Sequence, residues 1–164
     1  MKNIFIYTAI LAFLLLCSGG IQAQTAAKKL DQVKLMKQFN GTWNSETGKD
    51  TLLTAKFVPF GTGIDGYIRI ETKGVILTEG RRLFGYDPKT DTFIQAELNK
   101  DTGFELWACW FVSENFMTGV PFDDISNPGK AVYRVDVDIK SSASYVQTLF
   151  KNGKPINSRI MNRQ

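Results

Sequence analysis

The sequence contains no histidine, and this absence excludes several kinds of chemistry. Catalysis through an imidazole base is ruled out, as are zinc and haem sites with histidine ligands. No pair of cysteines has the spacing of a metal site, and no phosphate-binding glycine loop is present. The sequence therefore predicts no catalytic residues, no metal ligands and no cofactor.

The sequence also lacks a strong excess of charge of one sign, since 20 basic and 16 acidic side chains leave a net charge of only +4. So mild a charge does not call for a polyanionic partner, and we expect no nucleic acid to bind. The hydrophobic content of 43% is too high for a disordered chain. The length of 164 residues fits a single domain after removal of a leader.

Residues 1–23 have the pattern of a secretory signal peptide. Lys2 precedes an apolar run, Ile4–Leu16, that is too short for a membrane-spanning helix of about 20 residues. Ile21-Gln22-Ala23 resembles a cleavage site. The sequence thus predicts export to the periplasm or the extracellular space.

Cys17 supports an alternative to this cleavage. Leu14-Leu15-Leu16-Cys17 lies where a lipoprotein carries its lipidated cysteine, although Leu16 replaces the usual small residue. Only in this alternative do we expect the protein to be attached to a membrane. Cys109 lies in an apolar run, which predicts a buried and unreactive thiol.

The periodicity of the chain changes after residue 40. Apolar residues recur every three positions from Leu30 to Phe39, which predicts a short helix within a lead-in segment, residues 24–40. From residue 41 to 164 the period is two, with frequent turn signals such as Asn152-Gly153. We predict an all-β fold: a single antiparallel, up-and-down β-barrel of about ten strands, with a loop over Gly119–Lys130 at its mouth.

Two short motifs carry a family resemblance. The helix leading into Gly41-Thr42-Trp43 resembles the G-x-W opening of lipocalins and other calycin barrels. The segment from Gly80 to Asp87, which ends in Gly-Tyr-Asp, is similar to one in a group of bacterial lipocalin-like secreted proteins whose function is not known. The resemblance implies that Trp43 closes the barrel floor and does not contact a ligand.

A ligand site inside the barrel is predicted from side chains that can face inward. Arg81 and Arg82 must lie on opposite faces of their strand, so one of them needs an internal partner or a bound anion. The polar face of the strand carrying Tyr67 and Arg69 lies either inside the cavity or in solvent. The candidate cavity residues are Tyr67, Arg69, Arg82, Glu97, Trp107 and Tyr133.

Three functions are compatible with this pattern. The leading hypothesis is an exported, non-enzymatic binding protein for a small apolar or amphipathic molecule, which requires a hollow interior. The alternatives are a barrel hydrolase or isomerase that uses Glu79, Glu97 or Glu105, and a solid barrel that acts as an interaction module. Lysines and arginines also cluster in residues 28–37 and 151–164, either as solvated faces or as contacts for an anionic surface.

Overall fold

A computed structural model describes residues 29–101 and 103–164. The predicted signal peptide, residues 1–23, and Cys17 lie outside this range. Within the range, no helix is long and apolar enough to cross a bilayer.

The helical segment is short and is held at both ends by polar contacts. Helix α1 spans Gln32–Met36, and a 3-10 turn, Lys37–Phe39, follows it. The Asp31 carboxylate accepts a hydrogen bond from the Lys34 amide (2.9 Å) and so caps the first turn. The predicted helix is therefore present, and its last turn is tightened to the 3-10 form.

Ten antiparallel strands close into one barrel in which each strand pairs with the next and β1 pairs with β10. This confirms the predicted fold class. The strands are β1 Gly41–Gly48, β2 Thr51–Phe60, β3 Gly63–Thr72, β4 Val75–Asp87, β5 Thr92–Asn99, β6 Gly103–Ser113, β7 Phe116–Pro121, β8 Tyr133–Ser141, β9 Ser144–Lys151 and β10 Lys154–Arg163.

One end of the barrel is closed and is called the base. The base contains the β2–β3, β4–β5, β6–β7 and β8–β9 turns, and α1 covers it. The side-chain amide of Gln32 both donates to the Phe111 carbonyl (3.0 Å) and accepts from the Phe111 amide (2.7 Å), which anchors α1 to β6. The opposite end, called the mouth, contains the β1–β2, β3–β4, β5–β6 and β9–β10 turns.

The connection from β7 to β8 differs from the predicted mouth loop. Strand β7 continues to Pro121, so the irregular stretch begins at residue 122 and contains two 3-10 turns, Phe122–Asp124 and Pro128–Lys130. Pro128 and Gly129 lie beside the outward-facing Trp110 and Val120. The loop leaves from the mouth but folds back over the outer wall, because β6 and β7 present apolar side chains there that need cover.

The seam between the first and last strands is the weakest line in the wall. Only Trp43 with Arg163 and Asn44 with Asn162 are paired across it. Toward the mouth the two strands diverge, and a groove opens between them that Ser45 and Arg159 line.

Candidate functional site

The barrel interior has two layers, and the lower one is apolar. The largest buried side chains lie toward the base, where Phe39, Trp43 and Tyr145 pack edge to face. A lower chamber of about 40 Å³ remains above them, enough for one or two water molecules. Its walls are Met36, Phe39, Phe57, Ile64, Arg82, Phe84, Gln95, Cys109, Met117, Val135, Val137, Tyr145 and Gln147.

The upper chamber is polar and larger, with a volume of about 140 Å³. It shares four wall residues with the lower chamber and extends toward the mouth. Its walls are Arg82, Gln95, Glu97, Glu105, Trp107, Val135, Gln147, Leu149, Asn157 and Arg159. Neither chamber reaches the roughly 300–1,000 Å³ of pockets that enclose a drug-sized ligand. The leading hypothesis requires a hollow interior, and the aromatic side chains of the base fill much of its lower half.

One side of the upper chamber is an ion pair whose carboxylate accepts hydrogen bonds from three side chains. Arg82 and Glu97 are cross-strand partners on β4 and β5, and the Arg82 Nη2 donates to Glu97 Oε1 at 3.0 Å. The amides of Gln95 (2.9 Å) and Asn99 (2.8 Å) also donate to the Glu97 carboxylate. Burying this carboxylate is therefore compensated, and Arg82 has the internal partner that the sequence required.

Arg159 forms the other positive wall of the chamber, and no described acid forms an ion pair with it. It lies on β10, opposite Gln147 of β9. The pKa of the Arg159 guanidinium is lowered, first by burial and then by the positive charge of Arg82, while Tyr145 and Glu97 act in the opposite direction. An arginine keeps its proton even so. The chamber wall thus carries two guanidinium groups and two carboxylates, and among these four the Arg159 guanidinium alone has no ion pair or hydrogen bond with a described side chain.

Two of the predicted cavity residues lie outside the barrel. Tyr67 and Arg69 alternate with the inward Ile68 and Ile70, so both project from the outer face of β3. The Tyr67 hydroxyl donates to Glu79 (2.6 Å), and this bond raises the pKa of Tyr67. Arg69 pairs with Glu71 at 3.1 Å. Their placement in the cavity was wrong, because the isoleucines take the core face.

The remaining predicted residues are on the inner face. Trp107 lines the upper chamber with Arg82 and Glu97, and its indole Nε1 donates to Glu105 at 3.1 Å. Tyr133 lies above the chamber at the mouth, where the ammonium of Lys151 is 5.4 Å from its ring centroid. Tyr133 does not line either chamber.

The carboxylates considered for an enzyme do not form a free pair inside the barrel. Glu79 projects outward and binds Tyr67, and Glu97 is held by its three donor residues. Glu105 is exposed at the rim of the mouth. No cluster of three or more potential metal ligands occurs among residues 29–101 and 103–164.

Cys109 is fully buried in the wall of the lower chamber, and burial raises the pKa of its thiol to about 12. Gly119 on β7 faces it directly, and a Cβ at that position would come within 2.7 Å of the Cys109 sulfur. The thiol is thus packed against backbone with no room for a reagent.

Sequence reasoning did not assign roles to two arginines of β10. The guanidinium of Arg163 stacks on the Trp43 ring at 4.2 Å and donates to the carbonyls of Gln38 (2.8 Å) and Ser142 (2.7 Å). Trp43 is itself 1% exposed and donates to the Phe39 carbonyl at 2.6 Å. Period-two alternation with Met161 could have placed both Arg159 and Arg163 on the inward side of β10. Local sequence does not show that Arg163 meets Gln38 and Trp43, which lie more than a hundred residues earlier in the chain.

The chain was compared with known proteins. A scan against protein-family models finds no match, and a search of curated proteins finds none either. The resemblance to lipocalin-like proteins stays a prediction, while the barrel itself is observed.

Proposed function

We propose that the protein is an exported, non-enzymatic binding protein for a small amphipathic molecule with an anionic head group. The observation that carries the proposal is the upper chamber, where Arg159 has no described ion-pair partner and Trp107 offers an aromatic wall. A carboxylate that pairs with a half-buried guanidinium gains charge-assisted hydrogen bonds that water screens less than at an open surface.

The volume of the chambers limits the ligand. The head group would lie between Arg159 and Trp107 in the 140 Å³ upper chamber, and the lower chamber of 40 Å³ is too small for a long chain. Part of the ligand therefore extends through the mouth or through the groove between β1 and β10, which Arg159 also lines. We expect short-chain acids to be preferred over long-chain ones.

The small lower chamber is the observation that favours the solid-barrel alternative. If no small molecule binds, the barrel would serve as a scaffold for its outer surface. An enzyme is less well supported, because Glu97 already accepts hydrogen bonds from three side chains and is not free to act as a base.

Isothermal titration calorimetry of the chain from Gln24 onward with octanoate and with octanol tests the proposal. Residues 29–164 contain the whole barrel and its closing helix, so this chain retains the complete fold. We expect octanoate to bind more tightly than octanol, and Arg159→Gln to weaken octanoate binding about tenfold or more while leaving octanol binding unchanged.

Arg69→Gln is the matched control, since it makes the same change on the outer face of the barrel. Circular dichroism of both variants verifies that they fold. The proposal fails if octanoate does not bind at millimolar concentration, or if both arginine variants lose the same affinity.

A further inference from the structure

Large apolar side chains are exposed at the mouth in unusual number. Three of them form the free end of the β3–β4 hairpin, two flank the β5–β6 turn and one flanks the β9–β10 turn. The mouth residues are Val75 (63% exposed), Ile76, Leu77, Leu98, Phe104 (63%) and Ile156. A folded protein rarely leaves so many apolar side chains together in water without a partner.

The β3–β4 hairpin projects beyond its neighbour. Strand β4 begins at Val75, but its pairing with β5 begins only at Gly80. Residues 75–78 therefore extend past Lys100 of the β5–β6 turn, whose amide donates to the Glu79 carbonyl (3.0 Å), by about 13 Å at the rise of a strand. On its other side the hairpin stays paired with β2 up to Thr72, so its apolar tip is free only on the side of β5.

Lysines stand on the same turns as these apolar side chains. The four mouth turns and the residues that flank them carry five lysines against two acids: Lys49, Lys73, Lys100, Lys151 and Lys154, and Asp50 and Asp101. The β7–β8 connection, which also leaves from the mouth, adds Lys130, Asp123 and Asp124, so the mouth still has two more lysines than acids. At the base, the turns and α1 with its lead-in balance four lysines against four acids: Lys29, Lys34, Lys37 and Lys89, and Asp31, Asp87, Asp91 and Glu114. The positive charge of the hairpin ends is thus concentrated at the mouth.

From this arrangement we infer that the mouth end docks on the surface of an anionic lipid bilayer. Apolar side chains at the hairpin ends enter the interface, and the lysines beside them contact the head groups. A bilayer conforms to separate projecting tips, whereas a folded partner would need a continuous surface to cover them. The docking needs no lipidation at Cys17 and does not depend on the ligand proposed above.

Co-sedimentation of the chain from Gln24 with lipid vesicles tests the inference. We expect partition onto phosphatidylcholine vesicles that contain 30 mol% phosphatidylglycerol, and little onto phosphatidylcholine alone. Phe104→Ser combined with Leu98→Ser should lower the partition coefficient at least about tenfold. Phe60→Ser is the control, because Phe60 is 73% exposed at the base.

A second pair of variants isolates the charge. Lys73→Glu with Lys154→Glu should abolish binding to the anionic vesicles, whereas Lys34→Glu with Lys37→Glu changes the net charge equally but acts on α1 at the base. The inference is overturned if the unaltered chain does not sediment with anionic vesicles, or if mouth and base variants behave alike. The inference is also overturned if the chain does not bind vesicles and light scattering instead shows a concentration-dependent dimer, which Phe104→Ser dissociates.

Discussion

The base and the mouth of this barrel are built from the same alternating strands, but the base is closed and packed whereas the mouth is open and polar. At the base, Trp43, Phe39 and Tyr145 fill the interior, and Arg163 donates to three backbone carbonyls from two parts of the chain. Toward the mouth, polar and charged side chains leave the upper chamber open, and strands β1 and β10 diverge. Stability is concentrated at the end that is closed, which leaves the other end free to hold a charge without a partner.

Two tryptophans give the sharpest test of this division. Trp43→Ala removes a fully buried ring and its hydrogen bond to Phe39, and we expect a loss of about 3–5 kcal/mol in the free energy of unfolding. Trp107→Ala acts on a partly exposed ring at the upper chamber and should cost about 1 kcal/mol or less. Urea unfolding followed by circular dichroism measures both, and equal losses would refute the division.

Two arginines of β10 provide the next comparison. Arg163→Gln breaks donations to the carbonyls of Gln38, Asn40 and Ser142, so we expect the free energy of unfolding to fall by about 1–2 kcal/mol. Arg159→Gln removes a half-buried charge that has no described ion-pair partner, and stability should stay within about 0.5 kcal/mol of the unaltered protein or rise. Thermal unfolding of the two variants distinguishes these outcomes. A larger loss for Arg159→Gln would show that the mouth, too, relies on its arginine for stability.

The smallest expected effect concerns the acid stability of the base. The Tyr86 hydroxyl donates to Asp91 (2.6 Å), and this bond, with help from Lys29, lowers the pKa of the Asp91 carboxyl. Because the folded-state pKa lies below that of the unfolded chain, the contribution is present above about pH 4 and is lost as the pH falls through the folded value.

Asp91→Asn should therefore lower stability at pH 7 by less than about 1 kcal/mol and have no effect near pH 2. The control is Asp50→Asn at a mouth turn, where the aspartate side chain forms no ion pair or hydrogen bond with a described residue. Thermal unfolding at both pH values gives the comparison. A loss for Asp91→Asn that persists at pH 2 would contradict the assigned cause.

Local patterns were sufficient to predict the barrel but not the site. Period-two alternation predicted an antiparallel barrel of about ten strands, and the helix pattern predicted the segment that covers the base. The same alternation divided β3 into two faces without identifying the inner one, so Tyr67 and Arg69 were misplaced. That choice depends on the register of β3 with β2 and β4, which local sequence does not encode.

The residues that distinguish the two ends depend on contacts across the whole chain. Arg159 and Arg163 belong to a basic stretch that resembles a solvated surface when read alone. Their positions on the inward side of β10 follow from pairing with β9 and from closure against β1, and Arg163 stays exposed at the base. Closure depends on all ten strands, so the inward side of β10 is defined only once β10 lies beside β1.

The bond between Arg163 and the Asn40 carbonyl has a consequence for folding. It joins residues 123 positions apart, and the seam it secures has only two paired residues on each side. Hairpins can form early because their ends are neighbours in sequence, whereas this closure must overcome the entropy of a loop that includes nearly the whole barrel. The pairing of β1 with β10 and the bond from Arg163 to Asn40 are therefore expected to form late in folding. Until they form, the chain is an open, curved sheet whose two edge strands are available to other chains.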